Sequence, residues 1–587
     1  SGTAGNVREA FHTEIHNFDV NGTRHIANAT EPKIPAALAP IVEGVASLHD
    51  FMPHPQAKFA GAVRKDPTSG KWVSVGWRPH FASPYLGNEV NDVSPADFDI
   101  IYNVGPLRAL GTPITGAGET IVVIEDTDMN ADDWNTFRAA FGLSGFSGTF
   151  TQVHPAPPAG VKHLKKCKDP GQNLDESEAA LDAEWSTAVA PDAAIELASC
   201  AGTNVTFGGL LAAQNLLNSS APPPIMSVSY GECEAELGKA GNAAYNSLWQ
   251  LAASEGTSVF VSSGDAGASG CDDFQTSIIA THGIAANGFS STPYNVSVGG
   301  TDFQDAVNGN ISDYWSDTNN GTQTVKSYVP ETPWNDSCAS SLLFTYAGFT
   351  SGADFCNSFP GEVSFTINVA GGGAPSALYA KPSWQAGVDG IVADGKRDTP
   401  DVSLFSGNGI FTHALLYCMS DTVNEGVPCT YTNPVDVFFS SAGGTSFAAP
   451  SFAGIQALVN QETAMKWGNP NPVLYNLAAT EYGTTANPND AQLAACNANN
   501  GAAIGGNCIF NDITRGDIDV DCAKLPKHKA RDCFIPPGDL AGVLSTSNST
   551  LGVAYPSTSG WDFASGLGSV NVTNLVTGWL AGVPTDH

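Results

Sequence analysis

The sequence predicts an α/β protein, built on a mostly parallel β-sheet flanked by helices and preceded by a partial α+β segment. Three observations predict this. Short apolar runs rich in β-branched residues alternate with helical stretches from about residue 94 onward, the pattern of parallel strands joined by helical crossovers. The 587 residues suffice to bury a large core. The charge balance also changes along the chain: residues 1–92 carry 8 Lys+Arg and 9 Asp+Glu, leaving 17 against 49 for residues 93–587. A nearly neutral first segment thus precedes a strongly acidic body.

In chain order, residues 7–19 read as a short amphipathic helix followed by the strand Ile-His-Asn-Phe-Asp-Val, with Asn21-Gly22 as a hairpin turn. Residues 35–48 are a second helix candidate. Residues 53–92 contain Pro, Gly and Ser with Lys58, Arg64, Lys65, Lys71 and Arg78, show no periodicity, and read as an exposed, cleavable linker. The first buried strand is 120–125, followed by a helix at 132–141. Strands at 194–198 and 225–230, a helix at 243–256 and a strand at 258–263 continue the alternation. Residues 465–560 are loop-rich, biased to Asn, Ala and Gly, and carry several Cys. The chain contains no internal repeat and no apolar run long enough to span a bilayer. It opens on Ser-Gly-Thr-Ala-Gly, which reads as the middle of a folded element and predicts trimming upstream.

The 58 acidic and 25 basic residues repel nucleic acid and anionic membranes. They also suit acid conditions, because carboxylates lose charge as pH falls while few cations remain to repel one another. Twelve Cys, with no CxxC or Cys/His metal spacing, predict disulfides formed in an oxidising, extracellular setting. Cys338/Cys356, Cys418/Cys429, Cys496/Cys508 and Cys522/Cys533 fall as near neighbours, which leaves the pairing itself open. Sequons at Asn21, Asn204, Asn295 and Asn571 permit glycosylation.

Three segments could carry chemistry. Ser441-Ala-Gly-Gly-Thr-Ser446 brings the backbone into a tight turn and sets Ser446 at the head of an apolar run. A helix starting there holds the hydroxyl at its positive end, as a nucleophile beside N–H groups that receive an oxyanion, or as an N-cap. In the stretch from Leu174 to Trp185, a helix puts Glu178, Leu181, Asp182, Trp185 and Val189 on one face, with Asp175, Glu176 and Glu184 pointing elsewhere. Glu178 and Asp182 then sit one turn apart among apolar groups and titrate as a coupled pair. The bland reading is a solvated acidic face, which the apolar neighbours weaken. Ser263-Gly264-Asp265 ends a strand in a Gly-flanked turn, so Asp265 is an N-cap or, if protonated, a donor to an oxyanion.

A Ser nucleophile normally takes a His base. Most of the twelve His lie before residue 165, and His282 is the only tempting candidate beyond. A carboxylate can replace His at low pH, where imidazole is protonated and cannot accept a proton.

These residues resemble the sedolisins, the serine-carboxyl peptidases, most closely their kumamolisin-like branch. Gly-Gly-Thr445-Ser446-Phe-Ala-Ala-Pro is similar to the nucleophile motif, and Glu178-Ala-Ala-Leu-Asp182 to the E-x-x-L-D helix. Asp265 stands where subtilisins carry the Asn of the oxyanion hole. The resemblance implies a subtilisin-like fold. It further implies Ser446 as nucleophile, Glu178 as general base, Asp182 as its support and Asp265 as protonated oxyanion donor. Glu125 resembles the outer member of a proton relay, with Tyr230 where those relatives use Trp. A C-terminal Ca2+ site is also implied: the Asp512 carboxylate, the Ile513, Thr558 and Gly560 carbonyls, and the Asp562 carboxylate. Thr558 departs from the usual Gly, and a Cys-rich insertion at roughly 515–550 separates the two halves.

Residues 1–52, through Val7-Arg-Glu-Ala-Phe-His-Thr-Glu-Ile-His and Ile34-Pro-Ala-Ala-Leu-Ala-Pro, resemble the C-terminal part of the family's activation prodomain. Residues 53–92 would then be the cleavable linker, and 93–587 the peptidase domain with Cys-rich insertions. The implied protein is a secreted, extracellular, monomeric acid endopeptidase that cleaves protein or peptide substrates and binds its own prosegment. Its rivals are a tripeptidyl-peptidase of the same family and a non-catalytic secreted binding protein on a protease fold.

Overall fold

The structure, a computed structural model, describes residues 2–20, 23–66, 71–75, 91–161, 164–272, 277–320, 323–429, 438–524 and 531–584. The Asn21-Gly22 turn and the linker residues 67–70 and 76–90, Arg78 among them, lie outside these. The first segment is an α+β unit. Helix α1 (Ala4–Phe11) opens on a capping box between Thr3 and Asn6, each side chain accepting the other's backbone N–H. Strands β1 (Ile15–Val20) and β2 (Thr23–Asn28) pair antiparallel. The helix expected over 35–48 reduces to one 3-10 turn, Ala36–Leu38. Pro35 suits a first turn, but Pro40 cannot continue a helix because it lacks the N–H and crowds the preceding turn.

The linker differs more from expectation. It forms strands β3 (His54–Pro55), β4 (Lys58–Lys65) and β5 (Trp72–Ser74), and Ala60, Val63 and Trp72 are buried rather than exposed. Its small Ala and Gly residues hide the strand periodicity, and its pairing partners lie far along the chain.

The body is the predicted α/β sheet. In chain order it contains β6 (Thr120–Glu125), α2 (Ala131–Ala140), β7 (Thr149–Val153), α3 (Glu176–Val189), β8 (Ala194–Ser199) and α4 (Gly208–Leu217). There follow β9 (Ile225–Val228), β10 (Tyr230–Gly231), α5 (Glu234–Ser254), β11 (Ser258–Ser262), β12 (Val296–Phe303), β13 (Glu331–Pro333) and β14 (Val402–Phe405). The order across the main sheet is β13-β12-β11-β9-β6-β8-β7, with β14 also on β12. Only the β12–β13 pairing is antiparallel among these. Both faces are covered, so β9 and β11 are buried along their whole length, which is why they read as continuous apolar runs.

A second sheet adds β15 (Leu415–Tyr417) and β16 (Phe438–Gly443) in the antiparallel order β15-β16-β4-β5. Strand β16 leads through Gly444 into α6 (Thr445–Thr463), which packs against α3 in the main core. There a Cβ on Gly454 would stand 2.7 Å from the Val189 Cβ, so glycine sets that approach. All twelve Cys are paired: 167–200, 233–271, 338–356, 418–429, 496–508 and 522–533. The first segment docks on α5, where the Val45 N–H donates to the Ala240 carbonyl at 3.1 Å. Gly44 lies so close there that a Cβ would stand 2.3 Å from the Ala244 nitrogen.

Candidate active site

The parallel strands deliver their carboxyl ends to one edge, where sites of open α/β sheets form. Glu125 ends β6, Ser229 and Tyr230 follow β9, and Asp265 follows β11 by three residues. Helices α3 and α6 begin at the same edge, bringing Glu178 and Ser446 there. Gly444, with φ 123°, makes the turn between β16 and α6. Its missing side chain is required twice over, since a Cβ would lie 2.4 Å from the Gln56 carbonyl oxygen and 2.8 Å from Asp265 Oδ2.

Ser446 is fully buried, and its hydroxyl donates to the Ser229 carbonyl at 3.3 Å. Pro450, one turn into α6, has no N–H to offer the Ser446 carbonyl. The Ser229 hydroxyl stands in, 3.3 Å from that carbonyl oxygen and 2.7 Å from Asp182 Oδ1. Ser229 therefore ties the Ser446 backbone to the carboxylate pair, a link no sequence pattern announces.

Glu178 and Asp182 are both fully buried. Burial pushes Glu178 well above the usual carboxylate range, the Asp182 charge adds to this, and the neighbouring Ser446 hydroxyl opposes it. Burial also raises Asp182, against the Ser229 hydroxyl. Glu125 is raised by burial first and then by the charges of Asp182 and Glu178. The Tyr230 hydroxyl donates to Glu125 Oε2 at 3.0 Å and lies 3.1 Å from Asp126 Oδ1. Three carboxylates thus form one buried, mutually coupled group beside Ser446, with Tyr230 at its outer end.

The expectation that Glu176 and Glu184 point away from the core is corrected. Both are buried, because α3 is enclosed on all sides. Glu176 is satisfied at both oxygens, Oε1 accepting from the Asn130 N–H at 2.9 Å and Oε2 from the Asn424 amide at 3.0 Å, whereas Glu184 Oε2 accepts from the Cys418 N–H at 2.8 Å and its Oε1 has no partner. Among the described residues no histidine is hydrogen-bonded to Ser446. His282 Nδ1 instead lies 2.7 Å from Asp272 Oδ1.

The linker runs through this centre. The Ser446 N–H donates to the Gln56 carbonyl at 2.9 Å, and the Gln56 N–H to the Ser229 carbonyl at 3.0 Å. On one side of Gln56, β3 pairs antiparallel with β10; on the other, β4 pairs antiparallel with β16. The Gln56 side chain accepts from the Asp265 N–H at 3.0 Å. Asp265 is held in turn by its Oδ1, which accepts from the Thr445 N–H at 2.9 Å and hydroxyl at 2.7 Å. The linker is thus an extended chain bonded on both sides, with its Gln56 carbonyl on the Ser446 N–H.

Near the C-terminus, Asp512 and Asp562 come together in spite of the intervening insertion. Asp512 Oδ1 accepts from the Gly560 N–H at 3.0 Å, and Asp562 Oδ2 from the Thr558 N–H at 2.7 Å. Burial, reinforced by the Asp562 charge, raises Asp512 to about 8, and burial raises Asp562 to about 7. Among the described residues no hydrogen bond uses the Ile513, Thr558 or Gly560 carbonyls. Two buried carboxylates beside uncommitted carbonyl oxygens fit a hard divalent cation such as Ca2+.

A subtilisin-like sheet with a Ser–carboxylate edge and an α+β segment laid over it defines a peptidase-type architecture. Residues 1–51 match the Pro-kumamolisin activation domain. Sedolisin of Pseudomonas sp. (strain 101) is 25% identical over 479 residues, 81% of this chain and 66% of that protein. Kumamolisin of Bacillus sp. (strain MN-32) is 26% identical over 481 residues, 81% of this chain and 69% of that protein. Tripeptidyl-peptidase 1 of Canis lupus familiaris is 26% identical over 469 residues, 79% of this chain and 66% of that protein. The solved structure of Pseudomonas sedolisin complexed with two molecules of pseudo-iodotyrostatin superposes with a TM-score of 0.52 at 19% identity. It covers 83% of this chain and 98% of that one. The chain is thus similar to sedolisin and kumamolisin over 81% of its length, and its first 51 residues are similar to a pro-kumamolisin activation domain. It spans about two thirds or less of the length of the first curated relatives it matches.

Proposed function

We propose that this protein is a secreted, acid-active serine-carboxyl endopeptidase whose prosegment (1–52) is docked and whose linker (53–92) passes residues 54–58 through the cleft of the peptidase domain (93–587). The observation that carries this is the Gln56 carbonyl on the Ser446 N–H, beside the buried Glu178–Asp182 pair. In this reading Ser446 Oγ attacks the carbonyl carbon while its proton passes to Glu178, supported by Asp182. The Ser446 N–H and a proton on Asp265 hold the oxyanion. Glu178 gives its proton to the leaving amine as the C–N bond breaks. Water then repeats the sequence: its proton goes to Glu178, its oxygen to the acyl carbon, and Glu178 returns the proton to Ser446.

The first bond presented is Gln56–Ala57 of the chain's own linker. The sealed cleft holds the carboxylates out of water, and burial leads their upward shift. Once the linker leaves, water enters and the shift relaxes toward the acid range, where the base can cycle. Calcium, held by Asp512, Ile513, Thr558, Gly560 and Asp562, would neutralise two buried carboxylates and brace the C-terminal loops without entering the reaction.

One observation favours an endopeptidase over a tripeptidyl-peptidase. The linker continues N-terminally from Gln56 past His54 and Pro53 to Met52 and on into the docked segment, so the cleft admits more than three residues before the cut. The test is a rate profile from about pH 2 to 8 on an unfolded protein. Wild type should peak in acid, and Glu178→Gln and Ser446→Ala should each lower kcat by about 10³-fold or more. A neutral optimum indifferent to Glu178 would return the base to a histidine and overturn the reading. An N-terminally blocked peptide should be cut as readily as the free one.

A further inference from the structure

We propose that Asp302 and Asp336 form a primed-side subsite that selects a lysine or arginine two residues beyond the cleaved bond. The inference rests on the peptidase reading above, and the linker supplies its frame. With the Gln56 carbonyl on the Ser446 N–H, Ala57 is the first residue beyond the cut and Lys58 the second.

Lys58 pairs with Gly443 at the end of β16. Beneath Gly443 the chain is again glycine: a Cβ there would stand 2.4 Å from the Gly407 carbonyl oxygen. A Cβ on Gly407 would in turn stand 2.5 Å from Asp302 Oδ1. Two backbone layers without side chains therefore separate the linker strand from a carboxylate.

Asp302 and Asp336 are fully buried, as is Asn408. The Phe303 N–H donates to Asp302 Oδ1 at 2.7 Å and the Trp334 indole to Asp336 Oδ2 at 3.1 Å. Asp302 Oδ2 and Asp336 Oδ1 make no regular hydrogen bond, although the Asn408 amide lies near enough to Asp336 to favour its charged form. Two buried carboxylates without full hydrogen bonding are costly, and they repel one another. A cation arriving from the cleft relieves both costs. The Lys58 charge is felt there, since it draws Asp336 back toward the ionised form against the burial that raises it. On the far side, the His413 charge already favours ionised Asp302, but the ring is bonded elsewhere, its Nε2 2.8 Å from Asp305 Oδ1 and its Nδ1 3.0 Å from the Asn91 carbonyl. The linker is therefore the route by which a further cation reaches the pair. None of these residues belongs to the reacting group, so their effect falls on the choice of substrate and not on the chemistry.

The experiment uses the full chain after acid activation and quenched peptides spanning His-Pro-Gln-Ala-X-Phe, with X as Lys, Arg, Ala or Glu. Products are identified by mass. Lys and Arg should exceed Ala in kcat/KM by roughly tenfold, the effect of one charge-assisted hydrogen bond, with Glu lowest. Asp336→Asn should bring the Lys/Ala ratio close to one while the cut stays between Gln and Ala. Equal kcat/KM across the wild-type series overturns the subsite, as does a Lys preference that survives both Asp302→Asn and Asp336→Asn. The wild-type series decides even if a variant fails to fold. Should no peptide be cut and no added protein be degraded at any pH, the peptidase reading itself fails. Activity without selectivity removes the subsite alone.

Discussion

At the residue scale, the site depends on carboxylates that cannot all be charged at once. Asp182 raises Glu178 by its charge, after burial, while the Ser446 hydroxyl lowers it. Asp182→Asn keeps the shape and removes that charge. The folded pKa of Glu178 then falls, and the acid limb of the kcat/KM profile, which reports deprotonation of the base, moves to lower pH. We expect a displacement in that direction, with kcat reduced because the group supporting Glu178 is lost. An acid limb that stays in place or moves upward would separate Asp182 from the base. Glu178, Asp182 and Ser446 were legible because each sits in a spaced motif. Ser229 was not: a lone serine after a strand carries no pattern, and its use follows from Pro450, whose missing N–H frees the Ser446 carbonyl, 217 positions along the chain from Ser229. Gln56 was hidden for the same reason, since its partners Ser446 and Asp265 are distant in sequence.

At the scale of elements, strand β4 lies between β16 and β5 and covers the edge of β16. An unpaired β16 would present a row of free backbone groups, and β4 satisfies them while burying Ala60 and Val63. Trp72 on β5 adds an edge-on contact with Phe439, ring centres 5.6 Å apart. The sequence showed the basic residues of this stretch and missed its strands, because Lys-Phe-Ala-Gly-Ala-Val-Arg-Lys has no clean alternation and its partner strand begins at Phe438. Val63→Asp tests the contribution of the pairing. Losing the burial of one Val costs about 1.5–3 kcal/mol, and the charge adds to this, so the undocked linker should become at least about tenfold more populated. In a Ser446→Ala background, an added protease should then cut within the linker correspondingly faster, with the body intact. Unchanged cutting would mean that β4 does not hold the linker down. The body's own elements were easier to read. Strands β6, β9 and β11 are short, apolar and buried on both faces, so composition alone marks them.

At the scale of the whole molecule, the acidic composition and the buried acids lead to one stability profile. The charge excess was legible as counts, but its burial was not, because composition cannot say which carboxylates the fold encloses. Asp99, partly buried, is raised by its surroundings to about 7 in spite of Arg108. Asp521 and Glu481 are likewise raised to about 7, with burial the leading cause in each. In the unfolded chain such groups titrate near about 4. Below that pH both states hold the proton and these groups leave stability unchanged. Between about pH 4 and 7 the unfolded chain releases its protons while the folded chain keeps them, so ionisation favours unfolding. The loss grows by about 1.4 kcal/mol per pH unit for each such group until the folded pKa is passed. The net charge of −33 at pH 7 adds self-repulsion in the same direction. The Tm of the Ser446→Ala chain, which cannot digest itself in the proposed mechanism, should therefore be highest in acid and fall steadily from about pH 4 to 8 at fixed free calcium. Scanning calorimetry across that range measures it. A maximum near pH 7 would mean that the enclosed acids are ionised in the folded protein, and that the protein is not adapted to acid.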